Sequence, residues 1–165
     1  MKEKIKHYIK EIFLFFIFIT IVTNLLSLYK SIDLNKAKLN ESSFVLIDSK
    51  QYTIPKDKPI IIHFWATWCR TCKMEASTID ALSKDFEVLT IVVNSGSDDD
   101  IKKYMNEHNL NYMVVNDKDG YYAKKFNISG YPTTFIYDKN KNLSFSEVGY
   151  TSNLGLRLRM WWSNF

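Results

Sequence analysis

The sequence predicts an α/β domain with a central mixed sheet flanked by helices, preceded by one membrane-spanning helix. Three observations carry this reading. Apolar runs at 60–65 and 88–93 lack the alternation of a half-exposed strand, as expected of strands covered on both faces. Segments suited to helices, 71–84 and one ending near 107, follow these runs in turn, which is the order of parallel strands joined by crossovers. A stretch without a charge fills 12–29, close to the start of the chain.

Taken in order, residues 1–11 are polar and basic. Lys2, Lys4, Lys6 and Lys10 against Glu3 and Glu11 supply half of the formal net charge of +4. The uncharged stretch 12–29 is just long enough for one membrane span of roughly 20 residues. Lysines before the span place 1–11 in the cytoplasm and the rest of the chain outside it. Two other readings fit less well. A cleaved signal peptide wants small residues soon after the apolar core, and Leu-Ser-Leu-Tyr-Lys-Ser offers few. A buried helix led by lysines at a chain terminus is less natural still. Residues 30–42 are polar and lysine-rich and read as a tether, which leaves 43–165 as the folded domain.

Within that domain, 44–48 and 51–54 read as short strands of a hairpin around Ser49-Lys50, and 55–59 as a charged turn. The strand 60–65 leads into the helix 71–84, on which Met74, Ile79, Leu82 and Phe86 fall near one face. After the strand 88–93, Ser95-Gly96-Ser97-Asp98 is a helix start, and the acids 98–100 belong to its first turn rather than to a metal site. A strand at 112–115, a turn at 117–120 and a short helix at 121–126 follow. Two strands, 133–137 and 143–148, are joined by the turn 138–141 and form an antiparallel pair at one edge. From Thr151 onward, Leu154, Leu158, Trp161 and Phe165 recur at helical spacing. They predict a last helix packed through that face, with the arginines and tryptophans of the tail covering core.

Composition excludes several functions. Outside the first eleven residues the charge is close to balanced, which argues against nucleic acid as a partner. Two cysteines are too few for a disulfide scaffold, and a structural zinc site wants about four ligands. His63 and His108 have no ligand spacing to the cysteines.

Both cysteines sit where the strand 60–65 meets the next helix, in Phe64-Trp65-Ala66-Thr67-Trp68-Cys69-Arg70-Thr71-Cys72-Lys73. Thiols at i and i+3 share one face of a first helical turn and are close enough to form a disulfide. The first thiol lies at the helix N-terminus, where unpaired N–H groups stabilise a thiolate. A low-pKa thiolate beside a resolving thiol is a redox device, so the chain reads as a thiol–disulfide oxidoreductase that needs no cofactor beyond the Cys69–Cys72 couple.

The run Phe-Trp-Ala-Thr-Trp-Cys-x-x-Cys, with Gly130-Tyr131-Pro132-Thr133-Thr134-Phe135 at the expected distance, resembles the thioredoxin superfamily over about 44–165. Adding the N-terminal span, the chain is most similar to the membrane-anchored TlpA-, ResA- and CcmG-like branch, ScsD-like proteins included. Glu75, three residues after Cys72, matches a glutamate frequent in that branch. The chain departs from the pattern in three places. Arg70-Thr71 replaces a Cys-x-Pro-Cys centre, Ser77 stands where a proline is common, and His63 occupies a position often acidic or asparagine.

The resemblance implies that Cys69 is the nucleophile and Cys72 the resolving thiol. Pro132 is expected in a cis bond, with Tyr131 beside Cys69 and the loop backbone holding an extended substrate chain. Trp68 is expected to offer exposed apolar surface to the substrate, and Trp65 to pack as core. Three residues are expected to modulate the couple. Arg70 favours the thiolate, or is merely solvated. His63 exchanges a proton with Cys72, or is a buried histidine satisfied by a hydrogen bond. Glu75 tunes the thiols, or is a solvated helix position. The expected partners are protein disulfides outside the cytoplasm, apocytochrome c among them, and a membrane electron donor. Two alternatives stay open: a disulfide-forming oxidant re-oxidised by a membrane partner, and a tethered Cu(I)-binding module.

Overall fold

The computed structural model describes residues 2–164, and of the side chains those from Lys6 onward. A long helix, α1 (Lys2–Lys30), leads into a short antiparallel hairpin of β1 (Ser43–Val45) and β2 (Gln51–Thr53). The domain proper follows as β3 (Ile60–Trp65), α2 (Arg70–Ser83), β4 (Glu87–Val93), α3 (Asp98–Glu107), β5 (Met113–Asp117), α4 (Tyr121–Lys125), β6 (Thr133–Tyr137), β7 (Leu143–Val148) and α5 (Asn153–Trp162). The sheet order is β5-β4-β3-β6-β7. The β3–β4 and β4–β5 pairs are parallel, and the β3–β6 and β6–β7 pairs antiparallel, so the expected mixed sheet with an antiparallel edge is borne out.

Every residue of β3 is buried. Alternate side chains of a strand point to opposite faces, and here they enter two cores. Ile61 and Trp65 pack with Ile79 and Leu82 of α2, Ile101 of α3, and Leu156 and Met160 of α5. Ile60, Ile62 and Phe64 pack on the other side with Ala123 of α4 and with Phe126 and Phe135. The second cover is thin, because α4 is only five residues long.

That shortage explains a departure from expectation at residues 31–42. They do not hang free as a tether. Leu34 and Leu39 are buried in the second core beside Phe44 and Ile54. The backbone is tied down as well: Asn35 N–H donates to the Phe126 carbonyl at 3.1 Å, and Leu39 N–H to that of Lys141 at 2.9 Å. Glu41 pairs with Lys125. The segment supplies cover that α4 is too short to give.

Two predicted faces are also corrected. Met74 of α2 is exposed, and the buried residues of that helix are Cys72, Glu75, Ile79, Asp80 and Leu82. On α5 the packed residues are Leu156 and Met160, whereas Leu154, Leu158 and Trp161 face outward; Phe165 lies outside the described residues. The phase of α5 is set at its start. Ser152 caps the helix by accepting Gly155 N–H at 3.2 Å, and Thr151 N–H is held by Glu75 Oε1 at 2.9 Å. That anchoring turns Leu156 toward α2. The two tail arginines lie along the flanks of α5, Arg157 on Asp85 and Arg159 on Glu147.

Other local expectations hold. Ser97 and Asp100 form a reciprocal capping box at the start of α3, so the acidic run is a helix start. Asp117 anchors α4, its carboxylate accepting N–H groups of Tyr122 at 3.0 Å and Ala123 at 2.8 Å.

Leu39→Ala is expected to destabilise the domain by about 2–4 kcal/mol, as the removal of a buried leucine side chain does. Urea unfolding of the oxidised protein checks this; an unchanged midpoint would return the segment to a loose tether.

Candidate active site

The site is built where β3 ends and α2 begins. β3 runs into Ala66, and Cys69 then serves as the N-cap of α2 in extended conformation. Its Sγ accepts the backbone N–H of Cys72 at 3.1 Å. Cys69 and Cys72 are joined as a disulfide, with their Cα atoms 5.3 Å apart. Cys69 is 8% exposed and Cys72 3%. The outer sulfur therefore lies on the free N–H groups of the helix start, and the inner one faces the core.

The second signature meets the first from β6. The Tyr131–Pro132 bond is cis. The loop is fixed on both sides: Thr133 Oγ1 donates to the Gly130 carbonyl at 2.8 Å, and Gly149 N–H donates to that of Pro132 at 2.8 Å. Gly149 has φ +105°, a conformation that side chains resist, and it lets the chain leave β7 close to the loop. Tyr131 stands edge-on to Trp68, their ring centroids 5.6 Å apart. Trp68 is exposed and holds its orientation by donating Nε1–H to the Asn94 carbonyl at 3.1 Å. These two rings make an aromatic rim next to the disulfide. Trp65, in contrast, packs in the core between Tyr104 and Tyr112. A cleft of about 450 Å³, lined by Lys58, Pro59 and Met160 among others, lies by the start of β3 and away from the cysteines.

The modulating candidates fall in different surroundings. Arg70 is the first residue of α2 and is exposed. His63 is buried on β3, where its Nδ1 shares a hydrogen bond of 2.9 Å with Thr134 Oγ1 on β6. Burial pushes its pKa down to about 3, so the ring is neutral across the physiological range. Glu75 is fully buried and is not the solvated helix position considered from the sequence. Its Oε1 accepts Thr151 N–H, and its Oε2 is buried with no protein partner among the described residues. Burial pushes its pKa up to about 8, against the Thr151 hydrogen bond that lowers it, with the Glu147 charge adding to the rise. One turn along α2 from Cys72, Glu75 is an uncharged acid at neutral pH, on the buried side of the disulfide.

Sequence reasoning missed the partners that hold these groups: Thr134, Asn94 and Thr151. Only the register between β3 and β6 places Thr134 opposite His63, and 76 residues separate Glu75 from Thr151.

The raised Glu75 value has a thermodynamic consequence. Between about pH 4.5 and about pH 8 the unfolded chain loses this proton while the folded chain keeps it. Wild-type stability therefore falls with rising pH across that window, and the loss is complete above it. In Glu75→Gln this contribution vanishes, so the variant gains relative to wild type as pH rises from 4.5 to 8. Urea unfolding of the oxidised proteins at stepped pH measures it; parallel curves would contradict a buried neutral carboxyl.

Comparison with known proteins agrees with this geometry. The chain matches the AhpC/TSA family over residues 33–146. It is 29% identical over 114 residues to a thioredoxin-like protein of Haemophilus influenzae, covering 68% of each chain. It is 30% identical over 122 residues to the thiol-disulfide oxidoreductase ResA of Bacillus subtilis, covering 67% of this chain and 68% of that one. The crystal structure of a DsbE-type thiol:disulfide interchange protein from Chlorobium tepidum superposes with a TM-score of 0.68 at 19% identity, over 79% of this chain and 98% of that one. The family match over residues 33–146, the CxxC disulfide at a helix start and the named oxidoreductase relative together place the chain in the AhpC/TSA family as a thioredoxin-fold thiol-disulfide oxidoreductase.

Proposed function

We propose that this oxidoreductase is held at the cytoplasmic membrane by α1, faces the outside of the cytoplasm, and reduces disulfides in secreted proteins, apocytochrome c among them. The observation that carries the direction is Glu75. Burial keeps Glu75 protonated one turn from buried Cys72, and surroundings that penalise a carboxylate penalise a thiolate on Cys72 in the same way. Destabilising the thiolate form of the dithiol favours the disulfide, which makes the dithiol a better reductant.

The reaction follows from the arrangement. Cys69 as thiolate attacks one sulfur of a substrate disulfide, forms a mixed disulfide and releases the first substrate thiolate, which takes up a proton. Cys72 attacks Cys69 Sγ, and its proton passes to the departing substrate sulfur. The second substrate thiol leaves, and the Cys69–Cys72 disulfide closes. Two electrons have passed to the substrate, and a membrane dithiol donor returns the couple to its reduced form. His63, neutral and tied to Thr134, orients the strand beneath rather than carrying the proton. Trp68, Tyr131 and the Pro132 loop receive the substrate chain around its disulfide.

Support for the membrane placement is α1 itself. Its segment Lys6–Lys30 is long and apolar enough to span, and it is not buried against the domain. A second reading has a specific observation behind it. Cys69 caps α2, with exposed Arg70 beside it, and both features favour its thiolate and hence an oxidant.

The reduction potential of the Cys69–Cys72 couple separates the two. Equilibration with glutathione or dithiothreitol buffers is expected to give a value near or below about −270 mV, the thioredoxin range. A value near about −120 mV would mean that the helix start and Arg70 outweigh Glu75 and that the protein forms disulfides.

A further inference from the structure

Helix α5 carries apolar surface that is exposed to solvent. Leu154, Leu158, Trp161 and Trp162 are 68%, 57%, 58% and 68% exposed. The helix has no acidic residue. Its arginines are turned to the flanks: Arg157 reaches Asp85 at 2.6 Å and lies over the Phe86 ring, and Arg159 pairs with Glu147. What is left on the outer face is leucine and tryptophan, the composition of a helix that lies in a lipid interface.

Position names what covers it. A cleft of about 240 Å³ runs between the end of α1 and the start of α5, lined by Thr23, Asn24 and Ser27 on one side and Ser152, Gly155 and Arg159 on the other. Ser27 Oγ also accepts Val148 N–H at 3.2 Å, which fixes α1 to the end of β7. These same turns of α1 expose Leu25, Leu26 and Leu28, so apolar cover is needed at the level of α5. The candidate span Lys6–Lys30 has 25 residues. At 1.5 Å per residue it reaches about 37 Å, more than the roughly 30 Å of a hydrocarbon core. Its last turns, and α5 beside them, therefore lie at the outer boundary of the bilayer, where tryptophan is enriched.

We infer that the outer face of α5 rests in the interface of the membrane that α1 spans. The catalytic domain is then attached at two places, which removes free rotation about α1 and fixes the orientation of the Cys69–Cys72 disulfide toward membrane-bound partners. The inference rests on the membrane placement proposed above, and its test separates the two.

The full chain is reconstituted in phosphatidylcholine vesicles with brominated or ordinary acyl chains, and tryptophan emission is compared between wild type and Trp161→Phe/Trp162→Phe. Both positions are exposed, so the variant keeps the fold. Bromolipid is expected to quench wild type, and the variant to lose roughly half or more of that quenching. Resistance to alkaline extraction from the same vesicles reports the anchor independently. Equal quenching of the two proteins while both resist extraction overturns the docking of α5 and leaves the anchor standing; a second copy of the chain covering this face gives that result. Release by alkali overturns the anchor, and the docking with it.

Discussion

Burial of β3 on both faces is the constraint on which the structure depends. A strand with six buried residues needs a cover on each side, and its alternating side chains decide what each cover must contain. On one side α2, α3 and α5 give a deep core. On the other, α4 is a single short turn, so residues 31–54 complete the layer with Leu34, Leu39, Phe44 and Ile54. The same burial places the chemistry. β3 ends at Trp65, the chain turns within a few residues, and Cys69 caps the helix that must return over the sheet.

Two opposing influences then meet at the disulfide. From outside, the free N–H groups of the α2 start favour a thiolate on Cys69. From inside, Glu75 has been drawn out of water by the packing of α5 and keeps its proton to about pH 8. A carboxyl this deep is tolerated because Thr151 N–H satisfies one of its oxygens. Thr151 Oγ1 in turn donates to Glu147 at 2.6 Å, and Glu147 pairs with Arg159, so the environment of Glu75 is set by β7 and α5 together. The balance between the helix start and the desolvating interior sets whether the couple gives or takes electrons.

Much of this was legible in the sequence because it is local. The strands and helices around the cysteines follow from apolar runs and cap residues, and the CxxC and the Gly-Tyr-Pro-Thr loop are contiguous motifs. What was not legible depends on contacts distant in sequence. Polar residues 31–42 gave no sign that Leu34 and Leu39 would fill a gap left by a short helix. Leu154, Leu158 and Trp161 have the spacing of a buried stripe, yet the anchoring of Thr151 and Ser152 turns Leu156 and Met160 inward instead. Glu75 reads as an ordinary charged helix residue until α5 closes over it, and His63 shows its neutral character only once Thr134 is placed across the sheet.

The central claim is that Cys69 attacks and Cys72 resolves. The most direct measurement incubates the Cys72→Ser and Cys69→Ser variants, each reduced, with a disulfide-bonded protein and examines the products on non-reducing gels. The account predicts that Cys72→Ser accumulates a mixed disulfide through Cys69, released by dithiothreitol, and that Cys69→Ser forms none. An adduct through Cys72 in Cys69→Ser, with none in Cys72→Ser, would contradict it.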